Sequence, residues 1–176
     1  MDIIVPQEFQ TLWEENEEQP VIKYPAEVLR QVAEPVQKVT KKTRELIDKM
    51  ERIIKTAHGI GLAAPQVGVG ERVIIMSLDG NRLSALVNPQ IVFAEGGVIG
   101  EEGCLSLPGL YGEVPRKAIV EVEALDKEGK QVKYRFEGLS SRVAQHEIDH
   151  LDGVLFIDKA ELASLHWAWP AGVAGK

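Results

Sequence analysis

The run His146-Glu147-Ile148-Asp149-His150 constrains this chain more than any other stretch. It reads as helix, and at 3.6 residues per turn the two imidazoles stack on one face, with Glu147 about 100° round from the first. Such a face holds a divalent metal and sets a carboxylate beside the water on that metal. A catalytic site of this kind takes three protein ligands and leaves a fourth position open. The fold must therefore place this helix centrally and bring one more ligand to it.

Downstream positions supply no good third ligand. Gly153 begins an x-x-G-x-x-H continuation, but the ligand position is Phe156. Glu161, eleven residues beyond His150, stands too near to be the second-helix glutamate of thermolysin-like enzymes. Upstream there is one cysteine, Cys104, within Glu101-Glu102-Gly103-Cys104-Leu105-Ser106-Leu107-Pro108. A lone cysteine is most often a small buried apolar residue. This one reads as part of a polar, glycine-flanked loop, where its thiol is available. Thiolate ligates zinc and iron well, so Cys104, His146 and His150 make a three-ligand site with an open position. Two other classes remain open: a general H-E-x-x-H metallopeptidase, and a zinc-binding module without catalysis, which would need a fourth protein ligand.

Three blocks stand in order along the chain. They are Gly59-Ile60-Gly61-Leu62-Ala63-Ala64-Pro65-Gln66, Glu102-Gly103-Cys104-Leu105-Ser106, and Gln145 to Leu151, with Val114-Pro115-Arg116 between the last two. Over roughly residues 22 to 160 the chain resembles the peptide deformylases, whose signature blocks have these forms. The resemblance implies a hydrolase that removes the formyl group from the N-terminal formyl-methionine of newly made proteins and releases formate. It implies Fe2+ as the metal, with Zn2+, Ni2+ or Co2+ able to substitute. Glu147 then takes a proton from water and returns it to the leaving nitrogen. The Gln66 side-chain amide and the Leu105 backbone N–H become the donors to the developing oxyanion. Ile60, Leu139, Val143 and the apolar stem of Arg142 become walls of the methionine pocket. Glu102 and Arg116 are expected to pair below the Cys104 segment.

The glycines of the first block could suggest a phosphate cradle, but the lysine and the serine or threonine of a P-loop are absent. Gly59 and Gly61 instead allow close backbone approach to an extended substrate, and Gln66 offers a neutral amide donor. The implied partners are N-formylmethionyl nascent peptides and, transiently, the ribosome. No specific nucleic-acid sequence and no membrane is implied. Many deformylases carry a longer, basic C-terminal helix, and this chain departs from that pattern.

A formal charge of -7 and a pI near 5.2 argue against a general nucleic-acid or anionic-membrane binder. One cysteine forms no internal disulfide, which suits a reducing cytoplasm and keeps the thiol for metal. The first twenty residues lack Lys and Arg and are rich in Glu, so neither a secretory signal nor a transit peptide fits. No apolar stretch approaches the ~18 residues of a membrane span. A cytoplasmic location is expected.

With 176 residues, one domain is expected. Residues 1–20 read as an extension lying loosely on the surface, with a short docked helix near Phe9 to Glu15. Residues 21–160 form the catalytic domain, and 161–176 a short tail. Leu46, Ile47, Met50, Ile53, Ile54 and Ala57 lie on one stripe of an amphipathic helix over Thr40 to His58, capped by Gly59. His58 is expected as a surface residue at its end. Strands are expected over Arg72 to Leu78, Ser84 to Val87 and Ile91 to Ala94, with turns at Asp79-Gly80 and Asn88-Pro89. Ile119 to Leu125 and Gln131 to Phe136 form a hairpin around Asp126 to Gly129. The second helix begins at a Ser140 or Ser141 cap and ends by Gly153. Turns rather than helices join the strands, so the class is α+β: mainly antiparallel sheets packed around the central H-E-x-x-H helix.

Overall fold

Val73-Ile74-Ile75-Met76 is apolar at every position, which is the pattern of a strand covered on both faces. The computed structural model, which describes residues 2–14, 17, 20–77 and 82–171, shows this arrangement. Successive side chains of a strand point to opposite faces. Val73 and Ile75 join one core with Ile47, Met50, Ile53 and Ile54 of helix α1 (Lys41–Thr56). Ile74 and Met76 join a second core with Val143, Ala144, Ile148 and Leu151 of helix α2 (Gly138–Leu151). A five-stranded sheet thus lies between the two helices. Each fully buried aliphatic side chain stabilises this sandwich by about 1.5–3 kcal/mol before entropy is counted.

The strands of that sheet are β1 (Gly61–Ala63), β2 (Val73–Ser77), β3 (Leu83–Glu95), β6 (Ile119–Leu125) and β7 (Gln131–Glu137), in the order β1-β2-β3-β6-β7. Strands β4 (Val98–Cys104), β5 (Leu107–Arg116) and β8 (His166–Trp167) make a second sheet in the order β4-β5-β8. Every pairing between these strands is antiparallel. The expected α+β class and the central helix are observed. In the β6–β7 hairpin, Asp126 Oδ1 accepts the N–H groups of Glu128 and Lys130, and Gly129 takes the left-handed conformation at φ 83°.

Several local readings are corrected. Asn88-Pro89 does not end a strand: β3 runs through it as a bulge, with Val87 opposite Leu125 and Gln90 opposite Glu123. Asn88 adopts φ 51°, and its side-chain amide holds both the N–H and the carbonyl of Val36 at 2.8 Å. The left-handed residue after α1 is His58, at φ 53°, rather than Gly59. Gly59 N–H reaches back to Ile54 O at 3.1 Å and closes the turn beyond it. Helix α2 starts at Gly138, and Ser141 is not its cap, because its hydroxyl donates to Lys117 O at 2.9 Å. Cys104 ends strand β4 and does not sit in a loop. Leu78, the Asp79-Gly80 turn and Glu15 lie outside the described residues.

The N-terminal extension is built into the molecule. A 3-10 helix over Gln7–Trp13 buries Phe9 against the rings of Trp167 and Trp169, with centroids 5.4 and 5.2 Å apart. Trp13 Nε1–H donates to Pro108 O at 2.9 Å. Ile3 and Trp13 pack on a third core of Leu29, Leu107, Leu110, Val114, Leu155, Phe156 and Ile157.

Candidate metal centre

Helix α2 is buried along most of its length, including Gln145, His146, Glu147 and His150. Burial of four polar side chains within six residues demands partners for each. Gln145 finds them by pairing with the backbone of Lys117: its Oε1 accepts Lys117 N–H and its Nε2 donates to Lys117 O, each at 2.9 Å. His146 Nδ1 lies 2.9 Å from Glu102 Oε2, on β4. His150 Nε2 lies 3.3 Å from Cys104 Sγ. One ligand atom each from Cys104, His146 and His150 lies within 4.8 Å of the others, so the three could hold one metal ion. The imidazoles cross at 72° with centroids 5.0 Å apart. Phe156, where a metzincin would supply its third histidine, is instead buried, with its ring 6.4 Å from that of His146.

The cluster fits a divalent metal on the chemistry of its donor set and on one further observation. Sulfur and imidazole nitrogen suit zinc and iron. Beside them Glu147 Oε2 is buried with no hydrogen-bond partner, as is His150 Nδ1. A carboxylate left unpaired in a dry site is costly. Burial therefore drives the Glu147 pKa up, helped by the Glu102 charge and resisted by those of His146 and Arg116, to about 7. Burial pushes His150 well below the usual imidazole value, and a positive His146 adds to this. His146 goes the other way: burial opposes its charge, but hydrogen bonds to Cys104 and Glu102 overcome the opposition and hold its pKa well above normal.

Glu102 is the part that sequence reasoning paired only with Arg116. The pair exists, at 2.8 and 2.9 Å from Arg116 Nε and Nη2 to the two carboxylate oxygens. Glu102 also receives His146 and Arg142, and Arg116 extends to Asp149 on α2, which Lys159 joins. Burial works against the Glu102 charge, yet the hydrogen bonds from Arg116 and His146 lower its pKa to about 2. The signal for this network was a charged residue at an inward position of β4. Its partners stand 14 to 44 residues away in sequence and leave no local spacing.

The remaining candidates fall into two groups. Gln66 is buried, with Oε1 accepting Ala63 N–H at 2.9 Å and Nε2 facing Ser106 Oγ at 3.1 Å and Cys104 Sγ at 3.5 Å. Leu105 follows Cys104, and its side chain packs against the first core. Gly61 lies so close to the Glu147 carboxylate that a Cβ would overlap Oε1, and a Cβ on Gly59 would press on Leu105 and Ile54. These residues converge on the cluster. Of the proposed pocket walls, Ile60 and Leu139 are exposed, at 49% and 65%. Val143 faces the second core, and the Arg142 guanidinium is engaged by β4 and β5.

The profile of the polypeptide deformylase family matches residues 18–165. The chain is 52% identical over 141 residues to a peptide deformylase of Symbiobacterium thermophilum, covering 79% of this chain and 65% of that protein. It is 53% identical to one from Halothermothrix orenii, over 75% of this chain and 86% of the relative. The crystal structure of a peptide deformylase from Legionella pneumophila superposes with a TM-score of 0.78 at 41% identity, over 81% and 86% of the two chains. With the ordered blocks and the Cys104–His146–His150 cluster, these matches lead to one conclusion: the chain belongs to the polypeptide deformylase family.

Proposed function

We propose that this metal-dependent deformylase hydrolyses the formyl amide of N-formylmethionyl nascent peptides with Cys104, His146 and His150 as its metal ligands. The observation that carries the reading is the convergence of those three ligand atoms beside a buried, unpaired Glu147 carboxylate oxygen. When bound, the metal supplies the Lewis acidity that makes a water nucleophilic near neutral pH. Glu147, whose carboxyl burial pushes up to about 7 in the metal-free site, is the group that takes a proton from the nucleophilic water and delivers it to the departing amine. Gln66 is held by Ala63 and Ser106, and its second amide N–H, which faces Cys104 Sγ at 3.5 Å, serves the oxyanion together with the Leu105 N–H. In the sequence, nothing beyond its place in the motif marks Ser106. Gly59 and Gly61 lie along the substrate backbone, and Ile60, Leu139, Val143 and the Arg142 stem receive the methionine side chain.

The variants Cys104→Ala, His146→Ala and His150→Ala are expected to lose metal, whereas Glu147→Gln keeps metal and loses most turnover. Metal analysis of the purified proteins, with assays on formyl-Met-peptide and unformylated peptide, tests the assignment. A Cys104→Ala protein with full metal and full activity sinks it.

We assign iron(II) as the working metal, on the family resemblance. Zinc binds such a site more tightly in the divalent series, so preparation in air yields zinc or mixed occupancy. Oxygen attacks iron(II) and the thiolate beside it, while zinc, nickel and cobalt forms resist. Turnover per metal should be higher for the anaerobic iron form and should decay in air. Equal turnover and equal air stability of iron and zinc forms, measured side by side, would contradict this. The nascent-chain substrate and the lone thiol support a cytoplasmic location, and the family resemblance supports transient contact at the ribosome. Among the described residues no helix is long and apolar enough to cross a membrane. The catalytic unit is assigned to residues 21–160, with 1–20 as an N-terminal extension and 161–176 as a C-terminal tail.

A further inference from the structure

Arg142 stands one turn before His146 on α2, so its guanidinium and that imidazole project from the same side of the helix. Two of its three nitrogens are engaged, and the two N–H groups of Nη1 are shared among three acceptors. Nη1 donates to Val114 O at 2.8 Å, Gly100 O at 3.2 Å and Glu102 Oε1 at 2.8 Å, and Nη2 donates to Val98 O at 3.1 Å. Three of these acceptors are main-chain carbonyls of β4 and β5. The fourth is the carboxylate that holds His146 Nδ1. Gly100 makes the approach feasible: a Cβ there would lie 2.9 Å from Arg142 Nη2. The side chain is 11% exposed, so these bonds form largely out of water, where charge-assisted bonds are strongest.

The placement of the ligands gives this staple its consequence. His146 and His150 belong to α2, while Cys104 ends β4. Helix and strand belong to different structural units, since β4 lies in the three-stranded sheet and α2 packs on the five-stranded one. The distance from Cys104 Sγ to the imidazoles depends on how firmly β4 is docked on α2. We propose that Arg142 is a positioning residue for the metal-ligand set, fixing β4 to α2 and orienting His146 through Glu102. A lysine cannot replace it in full, because an ammonium lacks the planar fork that reaches carbonyls of two strands at once.

This inference rests on Cys104, His146 and His150 being the ligands, and the test separates the two. Cobalt(II)-loaded protein is challenged with EDTA, and release is followed by loss of the thiolate–cobalt absorption. Wild type should take up one cobalt and Cys104→Ala none. If wild type takes none, the ligand assignment fails and this inference with it. Given uptake, Arg142→Met keeps an unbranched apolar stem but should release cobalt roughly 10–100 times faster, the usual effect of losing an outer partner of a ligand. Arg142→Lys should fall between. Gly100→Ala, which leaves Arg142 in place but pushes a methyl against its guanidinium, should also speed release. If Arg142 serves only as a pocket wall, Arg142→Met alters KM for the formyl-methionyl peptide and releases cobalt at the wild-type rate. That result overturns the inference. Should Arg142→Met not fold, a wild-type rate in Gly100→Ala overturns it in the same way.

Discussion

Glu147 draws its chemistry from its surroundings rather than from its type. An exposed glutamate is ionised throughout the neutral range and is a weak base, whereas this one is pushed to about 7 by burial and by the neighbouring Glu102 charge. Below its pKa the group is protonated and cannot accept a proton, so kcat/KM should rise with pH along an acid limb. A bound divalent cation favours the carboxylate form and draws that limb to or below about 7. The pH profile of kcat/KM for a formyl-Met-peptide should show the limb in wild type and lose it in Glu147→Gln. A limb that survives in Glu147→Gln belongs to another group. Gly61 is tied to the same residue. Its missing Cβ leaves the room that Glu147 occupies, which adds to the substrate-side reason for glycine there.

At the level of elements, α1 was legible because its apolar residues recur with the helical period. The segment around Cys104 was misread as loop. Its glycines and carboxylates hide a strand, since Glu102 points inward and is compensated by partners that no local pattern announces. The end of α2 is set by Gly153, with φ 70° and with the Arg30 carbonyl where a Cβ would stand. Gly68 has a similar φ of 82°, but the nearest atom to its Cβ position is a flexible Ile22 methyl at 3.3 Å. Gly68→Ala should therefore cost about 1–2 kcal/mol for the left-handed backbone alone. Gly153→Ala should cost more, about 2–4 kcal/mol, because backbone must move as well. Urea unfolding of the two variants compares them directly. Equal losses would show that the Arg30 contact adds nothing.

Across the whole molecule, the N-terminal extension packs against the tail, whose His166–Trp167 form the edge strand β8 of the three-stranded sheet. Taken alone, Phe9, Leu12 and Trp13 are too few for a core, which favoured a loose extension. In the fold they do not need one of their own, because β5, Trp167 and Trp169 supply the partners. Phe9 is 6% exposed, so Phe9→Ala should cost about 3 kcal/mol of global stability, the lower end for a buried phenylalanine. Denaturant unfolding measures this. A loss below about 0.5 kcal/mol, the range of ordinary surface substitutions, would mean that the extension is not part of the cooperative unit.

What the sequence determined by itself was whatever depends on near neighbours. The i, i+4 histidines, the stripe of α1 and the Asp126–Gly129 turn follow from helix period and turn stereochemistry, which act over a few residues. The three motif blocks carried the family and the class of reaction for the same reason, as local strings. Tertiary structure decided the rest: that Cys104 ends a strand, that Glu102 orients His146, and that Arg142 spends its charge on carbonyls of β4 and β5. Those relations join groups 28 to 44 residues apart. They exist only once sheet register and helix packing have removed the water that would otherwise satisfy each group separately.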